Sequence, residues 1–152
     1  MSVAARLKEL GIEIPPPSAP VANYLGAVTA GNMVYVSGHG PRVTGGYITG
    51  KLGRDLTTEQ GHEAAKATII ACLGSLQAEV GSLERVKRIV KLLGMVNCTE
   101  DFGEQPQVIN GASDLLVAIF GESGRHARSA VGMQMLPMNN AVEIEMIVEI
   151  HP

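Results

Sequence analysis

The segment from residue 141 to residue 150 constrains the fold of this chain more than any other. Apolar side chains and glutamates alternate along it, with Val142, Ile144, Met146, Val148 and Ile150 interleaved with Glu143, Glu145 and Glu149. A period of two residues is that of a β-strand with one apolar and one polar face. The segment therefore predicts a sheet that buries one face under other elements.

Two amphipathic helices are predicted to cover that face. The first spans residues 57–80, because Thr57 and Gln60 have capping-box spacing and Gly81 supplies a C-terminal stop. The second spans residues 103–120. Their apolar stripes have helical spacing and comprise Ile69, Leu73, Leu76 and Val80 in the first helix and Val108, Ala112, Leu115 and Ile119 in the second.

The remaining elements are shorter. A helix is predicted over residues 2–10, followed by a proline-rich tether that ends near residue 20. Residues 137–140 are predicted to join the last two strands as a β-hairpin. The order of elements predicts a single α+β domain over residues 1–152, with one mixed sheet and two helices on one face. Besides residues 141–150, the predicted strands are residues 25–29, 33–37, 88–97 and 126–136.

Composition narrows the range of partners. A net charge of −3 and the absence of a basic run argue against nucleic acid. The chain has no run of about 18 apolar residues, and its first ten residues lack the apolar core of a signal peptide. We therefore expect no membrane contact and a cytoplasmic location. Cys72 and Cys98 stand at no metal-ligand spacing, which predicts two buried reduced thiols, no metal and no cofactor.

The hydrophobic content of 45% has two explanations, an aliphatic core alone or a core plus a large subunit interface. The predicted sheet has a second face that its own helices leave uncovered. That uncovered face favours the interface, and so a homo-oligomer.

Several short motifs follow one another along the chain. Gly31-Asn32, Val36-Ser37-Gly38 and Pro41 come first, then Val108-Ile109-Asn110, and finally Arg128-Ser129-Ala130-Val131, Leu136-Pro137 and Val142-Glu143-Ile144-Glu145. In this order and spacing they resemble the GN, SG-x-x-P, helix-borne Asn, ARS-x-V, LP and VEIE signatures of the YjgF/YER057c/UK114 family. This family is also called Rid, for reactive intermediate deaminase. The resemblance extends over about residues 20 to 150.

The resemblance implies a chorismate-mutase-like α+β fold, a homotrimer, and clefts at the three subunit interfaces. The best-described members hydrolyse reactive enamine and imine intermediates, such as 2-aminoacrylate and 2-iminobutanoate, to 2-keto acids and ammonia. Other members carry an endoribonuclease or translation-inhibitor name. The resemblance therefore constrains the fold more closely than the reaction.

Arg128 and Glu143 are the candidate catalytic residues. An arginine can hold a carboxylate through two parallel N–H donors, and the matching family arginine anchors the substrate carboxylate. A glutamate in a partly dry cleft can orient or deprotonate a water, and the family places one here beside the substrate. The alternatives are a surface ion pair of Arg128 with Glu149 and a solvated position for Glu143.

In the predicted hairpin, Glu143 pairs with about Gln134 and Arg128 with about Glu149. Arg128 and Glu143 would then lie roughly 20 Å apart, at about 3.3 Å per residue. One small substrate could not reach both within a chain. A shared site therefore requires Arg128 of one subunit and Glu143 of another, which is also what the resemblance implies.

Four further residues are candidates for substrate binding. Ser37 and Gly38 could offer a hydroxyl and a closely approaching backbone amide. Tyr24 could close the pocket, and Asn110 could reach the ligand from the facing subunit. The structural alternatives are a strand end, a half-buried tyrosine and a helix-surface amide, respectively.

Two candidate positions depart from the best-known family members. Ala130 stands where those members often have cysteine, which is harmless if only the backbone touches the substrate and changes the substrate if the thiol matters. His39 stands where many relatives have glutamine, and a histidine near a cleft can titrate near neutral pH.

Three functions remain as hypotheses. The first is hydrolytic deamination of 2-imino or enamine acids, which needs no cofactor because the imine carbon is already electrophilic. The second is a non-catalytic module that binds a small carboxylate in the same cleft. The third is an endoribonuclease, which the acidic charge balance disfavours.

Overall fold

The computed structural model describes residues 1–19 and 22–152. Its helices are α1 (Val3–Glu9), α2 (Thr58–Val80) and α3 (Gln105–Phe120). Its strands are β1 (Ala27–Ala30), β2 (Met33–His39), β3 (Arg42–Val43), β4 (Gly46–Tyr47), β5 (Val86–Asn97), β6 (Ala127–Met133) and β7 (Val142–Ile150). The predicted tether is described through Ala19, whereas its last residue, Pro20, lies outside the described residues.

Five strands form one mixed sheet in the order β1-β2-β7-β5-β6, and β3 and β4 form a separate ribbon. All neighbours in the sheet are antiparallel except β5 and β6, which are parallel. Helices α2 and α3 pack on one another and on one face of the sheet. The predicted α+β class, a mixed sheet with two helices on one face, is confirmed.

Local signals place the ends of α2 where the sequence predicts them. The Thr57 hydroxyl accepts a hydrogen bond from the Gln60 amide at 3.2 Å, and the Gln60 side chain accepts one from the Thr57 amide at 2.8 Å. This reciprocal pair satisfies two amides that the helix itself leaves free. At the other end, Gly81 adopts a φ of 87°, a conformation that favours glycine.

The alternation along β7 decides which face of the sheet is buried. Ile144 and Met146 point to the helices and are 0% and 2% exposed, whereas Glu145 points away and is exposed. On the opposite face Val28 and Tyr35 remain 47% and 48% exposed. The described helices leave this second face uncovered, and we call it the open face; it includes Val28, Tyr35, Leu93, Glu145 and Ile147.

The predicted hairpin between the last two strands is wrong. Strand β6 pairs in parallel with β5, with Arg128 beside Leu92, and β7 pairs with the other edge of β5, where Glu143 lies beside Met95. The connection between β6 and β7 therefore passes over the end of β5. A strand in the interior of a sheet needs a hydrogen-bonding partner on both edges, and the long, mostly buried β5 takes that place. The shorter, more exposed β6 is left at the sheet edge.

Both cysteines are free and buried, as predicted. Burial raises the pKa of the Cys72 thiol far above its usual range. Among residues 1–19 and 22–152, no helix combines the length and hydropathy that a membrane crossing requires.

Candidate functional site

A cleft of about 350 Å³ opens between β2, the start of β7 and the loop at residues 137–140. Four of the predicted site residues line it: Tyr24, Gly38, His39 and Glu143. The rest of the wall consists of Ser18, Ala19, Gly26, Gly40, Arg42, Tyr47, Ala71, Pro137, Met138 and Asn140.

Glu143 provides the carboxylate of this cleft. A bulge in β2 between Val36 and His39 brings Gly38 against it, and a Cβ on Gly38 would lie 2.5 Å from Glu143 Oε2. A side chain at position 38 would therefore push the Glu143 carboxylate from its observed place. Within the described residues the carboxylate has no ion-pair partner.

The surroundings of Glu143 favour its protonated form. Burial raises the pKa of the Glu143 carboxyl, and repulsion from Glu145 raises it further. A carboxyl with a raised pKa exchanges protons closer to neutral pH, which suits a group that activates water.

The surroundings of His39 favour its neutral form. Its Nδ1–H donates to the Ser37 carbonyl at 2.5 Å, and its Nε2 accepts from the Ser75 hydroxyl at 2.7 Å. Burial lowers the pKa of His39, and the charge of Arg42 lowers it too, against the opposing effect of the Ser37 bond. Both ring nitrogens therefore have hydrogen-bond partners, and the lowered pKa means that His39 gains its charge at a lower pH than a free histidine.

The two other site residues predicted near this cleft, Tyr24 and Ser37, differ in whether they line it. The Tyr24 side chain stands 50% exposed at the cleft wall. Ser37 does not line the cleft, because its hydroxyl donates to the Leu25 carbonyl at 2.5 Å. Ser37 therefore braces the turn before β1.

A second group of predicted residues lies at the edge strand β6. Arg128 donates to the Ser113 hydroxyl at 3.1 Å and to the Pro106 carbonyl at 3.3 Å, both on α3. Asn110 occupies the same face of α3, four residues after Pro106 and three before Ser113. Ala130 follows Arg128 by two residues and so shares its face of β6. Arg128, Asn110 and Ala130 thus form one local cluster.

The two groups cannot meet within one chain. Arg128 points towards α3, whereas Glu143 lies on the face of β7 that carries Glu145. In the observed register they are three residues apart along the strands and two strands apart, roughly 10 Å in each direction. Arg128 and Glu143 therefore lie roughly 14 Å apart on opposite faces of the sheet, closer than the roughly 20 Å predicted, and the hairpin register behind that prediction is wrong. Glu149 pairs with Lys87 at 2.9 Å, not with Arg128.

Sequence reasoning missed several polar residues at these places. Ser113 donates to His126 Nε2 at 2.9 Å while accepting from Arg128, and His126 Nδ1–H donates to the Gly124 carbonyl at 2.7 Å. Helical spacing from Asn110 could have identified Ser113. Arg42 and Asn140 also line the cleft, and nothing in their local sequence marks them.

A helix-covered mixed sheet with this strand order, a cleft with a half-buried glutamate and an arginine on its edge strand defines a chorismate-mutase-like α+β protein. The chain belongs to the YjgF family: the family model described as "YjgF/chorismate mutase-like, putative endoribonuclease" matches residues 4–150. The predicted family is confirmed.

Individual relatives show where the chain stands in that family. It is 47% identical over 151 residues to Protein TCP17 of Trypanosoma cruzi, covering 98% of this chain and 94% of that one. Protein Atu1372 of Agrobacterium tumefaciens is 43% identical, with a TM-score of 0.91 over 98% of this chain and 93% of its own. RidA of Psychrobacter sp. PAMC 21119 is 27% identical, with a TM-score of 0.61 over 89% of this chain and 94% of its own. The chain is thus closer in shape to Atu1372 than to RidA.

Proposed function

We propose that the protein is a hydrolytic deaminase of 2-imino or enamine acids, and that its site is formed where two subunits of a homotrimer meet. The observation that carries the proposal is the half-buried Glu143 carboxylate, which lines a cleft without an ion-pair partner among the described residues. Its raised pKa fits a group that takes a proton from water and returns it. The relationship to RidA supports this reaction class.

Arg128 is proposed to hold the substrate carboxylate. A guanidinium has five N–H donors, and the contacts with Ser113 and Pro106 use two of them. The remaining donors allow a charge-assisted bond to a carboxylate. Asn110 and Ala130 lie beside Arg128 and complete this half of the site, while Tyr24 and Gly38 belong to the half that contains Glu143.

The proposed reaction adds water to the imine carbon. Glu143 accepts a proton as the water oxygen bonds to carbon and passes that proton to the imine nitrogen, which gives a carbinolamine. Glu143 then takes the carbinolamine hydroxyl proton and returns it to the nitrogen as the carbon–nitrogen bond breaks, so that ammonia leaves and the 2-keto acid remains. No redox step occurs and no cofactor is needed, since the imine carbon is already electrophilic.

The division of the site supports an oligomer, and the trimeric state is proposed from the family resemblance. Arg128 and Glu143 lie on different faces of one chain, so a single small substrate reaches both only across an interface. The open face, with Val28 and Tyr35 about half exposed, is the surface proposed to meet neighbouring copies.

The test is release of 2-keto acid from 2-iminobutanoate generated in situ by an amino-acid oxidase. Wild type should accelerate release above the spontaneous rate, and Arg128→Ala should lower kcat/KM about 10- to 100-fold, the effect of losing a charge-assisted hydrogen bond. Arg125→Ala is the matched control, because Arg125 is exposed and pairs only loosely with Glu122 at 3.9 Å. A folded Arg128→Ala protein with the wild-type rate would contradict the proposal.

The second candidate is a non-catalytic module that binds a small carboxylate. It is favoured by Ala130 in place of the cysteine of well-known members and by a His39 whose two ring nitrogens are both occupied. Stabilisation by a keto acid without turnover of any imine would support it. An endoribonuclease is less compatible with a net charge of −3, because RNA binding relies on clustered basic residues.

A further inference from the structure

The Glu143 cleft contains a second charged group that the proposed reaction does not use. Arg42, at the start of β3, lines the cleft together with Ser18 and Tyr47. Its guanidinium donates to the Ser18 hydroxyl and, at 2.7 Å, to the Pro16 carbonyl. Both partners are neutral, and among the described residues no carboxylate lies within 4.0 Å of Arg42. The positive charge of Arg42 is therefore uncompensated at the cleft wall.

Arg42 and Glu143 line the cleft at different positions along residues 38–42. Gly38 lies against Glu143, whereas a Cβ on Gly40 would meet the Asn140 amide nitrogen at 2.8 Å and Tyr47 at 3.4 Å. Arg42 lies two residues beyond Gly40, and we call the part of the cleft at Glu143 its acidic end and the part at Arg42 its basic end.

The basic end offers an excess of hydrogen-bond donors. The two hydrogen bonds leave three N–H groups of the Arg42 guanidinium available. Neighbouring N–H donors of a guanidinium match the two oxygens of a carboxylate. The Ser18 hydroxyl accepts from Arg42 and keeps its own proton to donate. Tyr47 adds a further hydroxyl to this end of the cleft, and the Asn140 side chain lies between the two ends.

We propose that Arg42 forms an anion subsite in the Glu143 cleft and that the substrate is a 2-imino acid with a second carboxylate on its side chain. The inference rests on the proposed deaminase function for its reaction but on Arg42 for its substrate class. Arg128 of the partner subunit holds the carboxylate next to the imine, and Arg42 holds the distal one. A monocarboxylic imine leaves the basic end of the cleft empty.

Catalytic selectivity tests the subsite with two substrates of equal carbon number, 2-iminosuccinate and 2-iminobutanoate, both generated in situ. Wild type should have the higher kcat/KM for 2-iminosuccinate. Arg42→Gln should lower that value about 10- to 100-fold, the effect of losing charge-assisted bonds, and change the value for 2-iminobutanoate less than about 2-fold. Arg42→Lys should recover part of the selectivity because it keeps the charge without the fork.

The selectivity ratio separates the subsite from a purely structural role of Arg42. The bonds to Pro16 and Ser18 also tether the N-terminal segment, so a loosened tether would impair both substrates alike. Arg54→Gln is the matched control, because Arg54 is an exposed arginine outside the cleft that pairs with Asp55. Equal effects of Arg42→Gln on both substrates, or none on either, overturn the subsite.

Ligand-induced stabilisation distinguishes this inference from the proposed reaction. Succinate should raise the Tm of wild type more than butyrate does, and Arg42→Gln should abolish the difference. If neither imine is hydrolysed but this Arg42-dependent preference is found, the subsite stands and the deaminase falls. If 2-iminobutanoate is hydrolysed through Arg128 but succinate shows no preference and Arg42→Gln no selectivity change, the deaminase stands and the subsite falls.

Discussion

Glu143 and Glu145 are two residues apart on one face of β7, and their repulsion is a property of single side chains that pH can reveal. If the Glu143 carboxylate activates water, kcat/KM falls as the pH drops through its pKa, which burial and Glu145 place above the usual glutamate value. Glu145→Gln removes the repulsion and leaves the burial. We therefore expect the acid limb of the pH–rate profile to move to lower pH in Glu145→Gln.

The matched control for this prediction is Glu149→Gln. Glu149 shares the face of β7 but is paired with Lys87, and it has no part in the pKa shift of Glu143. Its removal should leave the acid limb in place. An acid limb that stays fixed in Glu145→Gln would assign that limb to a group other than Glu143.

At the scale of elements, the close packing of α2 against α3 depends on Gly111. A Cβ there would lie 2.9 Å from the backbone carbonyl carbon of His62 and even closer to its oxygen, so the helices could not keep their separation. A Gly→Ala change inside a helix usually stabilises by about 0.5–1 kcal/mol. Gly111→Ala should instead destabilise by about 1–3 kcal/mol, the range for overpacked sites.

Denaturant unfolding measures this effect, with Gly103→Ala as the control. Gly103 stands just before α3 with nothing within 4 Å of an added Cβ, so its substitution should change the free energy of unfolding by less than about 0.5 kcal/mol. A Gly111→Ala protein as stable as wild type would show that α2 and α3 separate at little cost.

At the scale of the whole molecule, the open face and the divided site both predict an oligomer, for which the family resemblance implies a trimer. Light scattering after size exclusion should give wild type three times the 16.0 kDa mass of the chain. Ile147→Lys puts a charge at the centre of the open face, where burial between subunits would strand it, and should yield smaller species. Those species should also lose imine hydrolysis, since each contains only half-sites.

Val117→Lys serves as the control for this prediction. Val117 is an apolar residue on α3, 39% exposed, on the helical side of the sheet rather than on the open face. Its substitution should leave the mass unchanged. A wild-type monomer that hydrolyses imines at full rate would exclude an interfacial site.

The helices could be predicted because their signals are local. The capping pair Thr57 and Gln60, the stop at Gly81 and the apolar stripes all act within a few residues of one another. The sequence patterns of β5, β6 and β7 likewise predicted that these segments are strands. The sequence did not predict how they pair, because a turn signal at residues 137–140 is compatible with a hairpin and also with a connection that passes over another strand.

The residues of the candidate site also differ in whether the sequence alone could identify them. Arg128 and Glu143 could be proposed from motif resemblance, and the structure puts each in a polar setting without an acidic or basic partner among the described residues. Arg42 and Asn140 could not be proposed from the sequence, because their place in the cleft depends on the meeting of two segments that are about a hundred residues apart.

The sequence by itself determined which segments are helical or extended and which face of each is apolar, because backbone preference and side-chain period depend on near neighbours. Only the tertiary structure decided the strand order, the meeting of Arg42 with the Glu143 cleft and the lowered pKa of His39. These depend on competition among distant segments for hydrogen-bonding edges and on the burial that results, which no local pattern encodes.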